Sequence, residues 1–372
     1  MIERFAQIVQ ERHDYARQWK ARTGGRVAGY LCTYVPEELL FAAGVLPLRV
    51  MGSHEPQDVT EPHIFSIFCP FCRDTLAQGL KGRYNYLDGL VKARSCMHMR
   101  NTFTSWRRHV PVPFSYYFGM PSVPQLESSR DFLVGELQAF KEALEEWTGQ
   151  AITSAALSEA IEAYNTNRRL MRQLYQTRKK ERPLLSGAEA MQVAVASQVM
   201  DKREHSTLLS ALLSGLDAHP SPPSPGTRLM LVGTENDDAD LVAMMESKGA
   251  LVVADDHCSG SRYFWNDVET DVDPLEAIAT RYIERPRCPA KDFPKMERLD
   301  HVVGIARDYS VQGVIILQQK FCEPFEYEIP PLQARLKEEG IPSLLLEYDL
   351  AMNAGTMGSR IEAFLEMIEL EI

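Results

Sequence analysis

Cysteine is the residue type whose spacing first suggests chemistry in this sequence. Cys69 and Cys72 enclose two residues in the stretch CPFC, and Cys96 follows in SCMHM. A pair with this spacing is typical of a redox dithiol at a helix start, or of one half of a zinc site. Cysteine thiolates also hold iron–sulfur clusters, whose other ligands can lie far away in the sequence. The residues alone leave these alternatives open, beside a fourth in which the thiols only fill space in a core.

A zinc site would require a second Cys or His pair at similar spacing. Cys96 is followed by Met97 and His98, which makes a poor pair, and the cysteines at positions 258, 288 and 322 stand alone. The spacing therefore disfavours zinc. Seven cysteines, an odd number spread over 372 residues, also give no disulfide framework, so we expect a reducing compartment.

The composition predicts an ordinary soluble protein of two or three domains, because 372 residues are too many for one core. The formal net charge of −11 argues against binding to nucleic acids or anionic membranes, which requires a basic surface. No apolar run reaches the roughly 18 residues of a membrane span. The charged N-terminus predicts an amphipathic helix and not a signal peptide, so we expect a cytoplasmic protein.

Secondary-structure patterns divide the chain into four parts. Residues 1–125 alternate short apolar runs with helical patterns, and residues 126–218 carry long helical stripes. Residues 219–226, HPSPPSPG, predict a proline-rich linker, and residues 227–372 return to strand–helix–strand alternation. Continuous Val/Ile/Leu strands in such an alternation predict parallel sheets covered on both faces. The predicted fold is therefore α/β, with two Rossmann- or flavodoxin-like domains, a helical insert and a cleft between the domains.

Three cysteines follow predicted strands. The strand from Gly89 to Ala93 runs into Cys96, and the strands in ALVVADDHC and VQGVIILQQKFC lead to Cys258 and Cys322. Ligands of open parallel sheets gather at the carboxyl ends of strands. These positions favour a functional site in the cleft.

Several motifs together resemble the 2-hydroxyacyl-CoA dehydratase and benzoyl-CoA reductase family. In order, they are GYLCTYVPEELLFAAGVLPLRVMG, CPFCRDTLAQGL, YLDGLV, SCMHMR, QGVIILQQKFCEP and GIPSLLLEYD. The resemblance runs over most of the chain. The stretches GTENDDADLVAMMESKGALVVADDHCSGSRYFWN and DPLEAIATRYIERPRCP are most similar to a cluster-bearing subunit, of the B or C type, of ATP-dependent benzoyl-CoA reductases.

The resemblance implies a [4Fe–4S] cluster in the cleft between the two domains, held by three cysteines. The family motifs put these ligands at Cys69, Cys96 and Cys322. Arg73, four residues beyond Cys69, indicates that Cys69 and not Cys72 aligns with the first ligand. The chain lacks the Asp that often follows the second cysteine in the family, which leaves any role of that Asp open.

Three thiolates would leave one iron open to water or a substrate oxygen, which suits both family reactions. We expect the ATP-dependent reduction of benzoyl-CoA, or of a close aromatic analogue, to a cyclic diene thioester. The alternative within the family is elimination of water from a 2-hydroxyacyl-CoA by a ketyl-radical mechanism, and a third is a double-cubane cluster protein that reduces small molecules. Outside this class, the rival is a non-catalytic scaffold subunit.

The implied partners follow from the energy that low-potential electrons require. The sequence has neither a GxxxxGK[ST] phosphate loop nor a GxGxxG turn after a strand, so neither route to ATP binding is expected. The resemblance implies a separate ATP-hydrolysing iron–sulfur activator and a homologous, cluster-bearing second subunit. It also implies a CoA-thioester substrate.

Weaker candidates lie in loops near these positions. Cys258 could line the substrate cleft together with His257 and Arg262. His98 could deliver a proton, since its ordinary pKa is near neutral, although a structural hydrogen bond is the favoured interpretation.

The remaining cysteines carry less weight. Cys32 is as readily a buried filler as a cleft residue. We expect Cys72 to pack beside the cluster and Cys288 to be incidental.

Overall fold

Two parallel sheets of four strands each form the framework of the protein, in a computed structural model that describes residues 1–55, 58–216, 226–349 and 354–371. The strands are β1 (Arg26–Tyr30), β2 (Val45–Arg49), β3 (Gly89–Ala93), β4 (Phe114–Phe118), β5 (Thr227–Gly233), β6 (Ala250–Asp256), β7 (Gly313–Gln319) and β8 (Ser343–Tyr348). Neighbouring strands pair in parallel throughout both sheets. The predicted α/β fold with two parallel-sheet domains is confirmed.

Helices cover the sheets. In the described residues they are α1 (Ile2–Gln10), α2 (Arg12–Thr23), α3 (Glu37–Ala42), α4 (Pro70–Leu80), α5 (Met97–His109), α6 (Ser128–Thr148), α7 (Ser154–Thr177), α8 (Gly187–Ala196), α9 (Lys202–Ser214), α10 (Ala239–Ser247), α11 (Ser261–Phe264), α12 (Pro274–Glu284), α13 (Arg298–Asp308), α14 (Glu323–Glu338) and α15 (Ala354–Glu371). None of these helices is long and apolar enough to cross a membrane.

The two sheets share one strand order. The first runs β2-β1-β3-β4 and the second β6-β5-β7-β8, which is the flavodoxin-like order in both cases. In each sheet the direction of winding reverses next to the first strand, between β1 and β3 and between β5 and β7. Because open α/β sheets bind ligands outside the strand ends at this switch point, the fold provides two candidate edges.

We call the β1–β4 sheet with its covering helices the first lobe, and the β5–β8 sheet with its helices the second lobe. Helix α6 packs on the first sheet together with α12, which comes from the second half of the sequence. The core of the first lobe is therefore built from both halves of the chain. The predicted linker, residues 219–226, lies outside the described residues except for Gly226, and the predicted domain limits stay predictions.

Strand β4 was not predicted from the sequence. Its five residues, FSYYF, form an edge strand that is mostly half-buried, so neither a continuous apolar run nor a clean alternation marks it. The helix predicted to begin near Ile329 in fact begins at Glu323 and contains Pro330 and Pro331. Pro324 near its N-terminus, together with the acidic first turn, is the start signal that matters there.

Candidate functional site

The carboxyl edges of the two sheets face each other across a cleft. The Arg49 guanidinium, at the end of β2, lies 3.7 Å from the carboxylate of Glu235, just beyond β5. The His54 Nε2 atom, in the loop after β2, lies 2.9 Å from the carboxylate of Asp237. Both switch points therefore open toward the same region between the lobes.

The three cysteines predicted as ligands each occupy the N-cap position of a helix at this edge. Cys69 precedes α4, Cys96 precedes α5 and Cys322 precedes α14. Cys69 and Cys72 belong to one buried apolar cluster, and Cys96 and Cys322 pack against it. The positive end of a helix favours a thiolate at its N-cap. The fold thus brings together, at three helix N-termini, sulfur atoms that are distant in sequence.

The side chain of Gln319, the last residue of β7, connects the helix that follows Cys69 to the second lobe. Its Oε1 accepts a hydrogen bond of 2.9 Å from the backbone N–H of Phe71, in the first turn of α4. Its Nε2 donates a 2.8 Å bond to the carbonyl of Glu235. The start of α4 is therefore held against the end of β7, three residues before Cys322.

Arg73 fastens the same turn at a second point. Its Nε donates a hydrogen bond of 2.9 Å to the carbonyl of Phe68, and its Nη2 lies 2.6 Å from the carboxylate of Asp349, just beyond β8. The residue that indicated the alignment of Cys69 in the sequence thus fixes the loop that carries Cys69.

Cys72 lies between the other two thiols of the first lobe. A hydrogen bond with its thiol is the main reason that the pKa of Cys69 falls to about 6 and that of Cys96 to about 7. Burial raises the pKa of Cys72 itself well above its usual value, and burial does the same for the pKa of Cys322. Cys72 is therefore a thiol donor that stabilises two neighbouring thiolates, in keeping with the packing position predicted for it.

His98 contacts the segment of Cys69 directly. Its Nδ1 accepts a 3.1 Å hydrogen bond from the backbone N–H of Cys69, and its ring packs against Phe68 with centroids 4.5 Å apart. Nδ1 can accept only when it is unprotonated, so this bond favours the neutral ring with its proton on Nε2. The Cys69 thiol acts in the opposite sense and raises the pKa of His98. The predicted structural hydrogen bond is present, and the proton-donor role stays a prediction.

In the described ranges, no three Cys, His, Asp or Glu side chains are grouped closely enough to hold a single metal ion. An iron–sulfur cluster makes a different geometric demand, because its thiolates bind different iron atoms and do not converge on one centre. The donor set here is three thiols at helix N-termini, enclosed by apolar side chains. This chemistry fits a cluster better than an isolated ion.

A cleft of about 490 Å³ opens beside Cys96. Its walls are mostly apolar and come from both lobes. The lining side chains are Ser95, Cys96, Met97, Pro289, Ala290, Asp292, Phe293, Met296, Glu323, Pro324, Tyr327 and Glu328. Met97, Phe293 and Tyr327 are exposed at its rim, at 56%, 70% and 75% of their maximal accessible area. A volume of this size with aromatic walls is typical of a small-molecule site.

Two of the three carboxylates in this cleft are already engaged. Glu328 forms an ion pair with the buried Arg298 guanidinium, and Asp292 accepts a 2.7 Å hydrogen bond from the backbone N–H of Arg298. Arg298 also pairs with the buried Asp256. The cleft therefore presents an apolar surface with a structural ion network behind it, and Arg298 does not point a free positive charge at a bound anion.

Cys258, His257 and Arg262 do not line this cleft, contrary to the weaker prediction. They belong to a buried polar layer at the end of β6. The His257 Nδ1 lies 2.7 Å from the carbonyl of Thr234, and the Cys258 sulfur lies 3.6 Å from Arg49 Nη2. Their sequence signal, a loop after a strand, indicated the correct edge but not which wall of the cleft they join.

Two features of this region were missed by sequence reasoning. Cys32 and Cys288 pack against one apolar cluster, and both thiols act on the pKa of Lys291, so Cys288 is not isolated. Lys92 lies fully buried near the end of β3, close to the thiols of Cys72 and Cys96. A lysine within the otherwise apolar strand GLVKA is the signal that could have identified it.

Comparison with known proteins agrees with this architecture. A family described as 2-hydroxyglutaryl-CoA dehydratase, D-component, matches residues 32–368. The chain is 27% identical to the beta subunit of the (R)-phenyllactyl-CoA dehydratase of Clostridium sporogenes, covering 98% of this chain and 97% of the relative. It is 29% identical to the C-type subunit of the benzoyl-CoA reductase of Thauera aromatica, covering 92% and 90%. It is 27% identical to the beta subunit of the (R)-2-hydroxyglutaryl-CoA dehydratase of Acidaminococcus fermentans, covering 99% of both chains. The resemblance inferred from the motifs is confirmed, and the chain belongs to the 2-hydroxyglutaryl-CoA dehydratase D-component family, which includes benzoyl-CoA reductase subunits.

Proposed function

We propose that this chain is the iron–sulfur subunit of an ATP-dependent benzoyl-CoA reductase, with a [4Fe–4S] cluster held by Cys69, Cys96 and Cys322. The observation that carries the proposal is the arrangement of these three cysteines at helix N-termini on the facing edges of two lobes. When bound, the cluster would supply single electrons at low potential, down to about −700 mV for such centres.

The chain's own residues prepare the site for such a group. The helix N-termini favour the thiolate forms that metal ligation requires. The Cys96 sulfur already accepts a hydrogen bond of 3.4 Å from the backbone N–H of Met99. Hydrogen bonds to cluster sulfurs are one of the means by which a protein sets a cluster's potential.

The cleft beside Cys96 supports an aromatic acyl group. Met97, Phe293 and Tyr327 offer flat or polarizable apolar surfaces, which pack well against a phenyl ring. Glu323, in the first turn of α14, would repel an acyl group that ends in a carboxylate. A benzoyl or other aryl thioester therefore suits the cleft better than a glutaryl thioester.

The second candidate is a subunit of a 2-hydroxyacyl-CoA dehydratase. The observation that favours it is the similarity to three relatives named as dehydratase subunits, of which the phenyllactyl-CoA enzyme also has an aryl group in its name. The aromatic walls fit either reaction, so the acyl preference and the reaction type are separate questions.

Partner proteins are part of the proposal. The relatives are named as subunits of the beta or C type, which makes a hetero-oligomer plausible. We propose that a homologous second subunit and an ATP-hydrolysing iron–sulfur activator complete the enzyme.

The test is a reconstitution under anoxic conditions. The purified complex of the two subunits and its activator receive ATP, a low-potential reductant and either benzoyl-CoA, (R)-phenyllactyl-CoA or 2-hydroxyglutaryl-CoA, and the products are followed by mass spectrometry. The proposal expects a gain of two hydrogens on benzoyl-CoA. Loss of water from phenyllactyl-CoA with no change in benzoyl-CoA would assign the second candidate. A complex that contains Cys69→Ser is the control for turnover by the activator alone.

A further inference from the structure

Lys92 is a buried cation without a matching anion. Its side chain is 0% exposed, and its Nζ has no hydrogen-bond partner among the described residues. Its ammonium lies 4.7 Å from the centre of the Tyr117 ring, which is a much weaker compensation than an ion pair. Burying an uncompensated charge is expensive, so a lysine in this position calls for a partner.

The groups around Lys92 identify that partner. Burial lowers the pKa of Lys92, and the thiols of Cys32, Cys96 and Cys72 act against this shift. Cys96 is one of the proposed ligands, and Cys72 lies against both Cys69 and Cys96. Thiols must lose their protons to bind metal, so the site next to Lys92 becomes negative only when it is loaded.

We propose that Lys92 is the built-in counter-charge of the thiolate site and raises the reduction potential of the iron–sulfur group bound there. This inference rests on the proposed function. A fixed positive charge in a poorly hydrated environment stabilises the more negative, reduced state of a neighbouring centre over the oxidised one. Lys92 is therefore a positioning charge and not a catalytic residue.

Other cations nearby do not meet the same criteria. Arg94 and Arg100 are exposed, so water and salt screen their charges. Lys291 is buried but donates a 2.6 Å hydrogen bond to the carbonyl of Pro121. Lys291 acts on Cys32 and Cys288, not on the proposed ligands, and is a matched control for the loss of a buried lysine.

The first experiment uses the full-length chain without iron. Lys92→Met removes an uncompensated charge, so the midpoint of thermal unfolding of the iron-free protein is expected to rise. Lys291→Met leaves the Pro121 carbonyl without its donor, so its midpoint is expected to fall. A fall for Lys92→Met as well would mean that Lys92 is a structural lysine held by Tyr117, and would overturn the inference.

The second experiment uses the anoxically loaded complex. Redox titration followed by electron paramagnetic resonance is expected to give a more negative midpoint potential for Lys92→Met, with Lys92→Arg restoring it toward the wild-type value. Lys291→Met is expected to shift the potential much less. An unchanged potential in Lys92→Met overturns the inference while the iron content still supports the cluster. If the wild-type complex binds no iron and sulfide, the proposed function fails, and the inference fails with it. Lys92→Gln, which retains a polar side chain, replaces Lys92→Met if that variant does not fold.

Discussion

Cys96 and Cys322 occupy equivalent positions in the two lobes. Each lies just beyond the third strand of its sheet, β3 or β7, and each caps the helix that follows. Because both sheets have the same strand order, these two positions lie beside the switch points, where ligands of such folds bind. The third thiol, Cys69, comes from the β2–β3 connection, so the set is not symmetric. This asymmetry separates the roles of the cysteines and can be tested.

Replacing any one of Cys69, Cys96 and Cys322 by Ser is expected to remove most of the bound iron and sulfide, because each would be the thiolate of one iron atom. Iron and acid-labile sulfide, measured after anoxic purification, provide the test. Cys72→Ser is the matched control and should keep the cluster, since a serine hydroxyl can still donate to Cys69 and Cys96. Loss of activity in Cys72→Ser with iron retained would point instead to a redox dithiol.

Gln319→Leu is expected to destabilise the protein by about 1–3 kcal/mol, because the buried N–H of Phe71 and the carbonyl of Glu235 lose their partner. Urea unfolding of the iron-free chain measures this difference. Gln138→Leu, at an exposed pair with Glu142, is the control and should change little. An equal effect of the two substitutions would mean that the contact between the lobes at Gln319 is not formed in solution.

The ion pair between His54 and Asp237 predicts a dependence of stability on pH. Burial lowers the pKa of His54, but the hydrogen bond and charge of Asp237 outweigh it and raise the pKa to about 10. Its contribution is therefore fully present below the unfolded pKa of about 6.5 and is lost as the pH rises through about 10. We expect His54→Gln to lower the unfolding temperature clearly at pH 6 and progressively less toward pH 10. A difference that stays constant with pH would contradict this pairing.

Arg298→Met is expected to cost about 3–5 kcal/mol, because it leaves the carboxylates of Asp256 and Glu328 buried without their shared partner. Denaturant unfolding gives the value. Arg335→Met, which removes an arginine from an exposed ion-pair network on α14, is the comparison and should have a small effect. If both variants were equally stable, the network behind the cleft would not support the lobe.

The sequence predicted the sheets better than it predicted their relation. Continuous Val, Ile and Leu runs such as Leu229–Val232 and Val314–Leu317 are fully buried on parallel strands, and each was recognised from composition alone. The edge strand β4 has no such run and was missed. The meeting of Cys69 with Cys322 could not be derived from local patterns, because it depends on side chains such as Gln319 that bridge the lobes. The motifs placed these cysteines only through their resemblance to a family.

The amide of Gln319 has a consequence for how a thioester enters. Since it clamps the first turn of α4 to the end of β7, a hinge that parted the lobes there would also pull Cys69 away from Cys322. Admission of a bulky ligand must instead come from displacement of the opposite rim, where Phe293 and Tyr327 extend into solvent. Gating and electron delivery would then occupy separate ends of one crevice, and the sulfur-bearing end could stay rigid through each turnover.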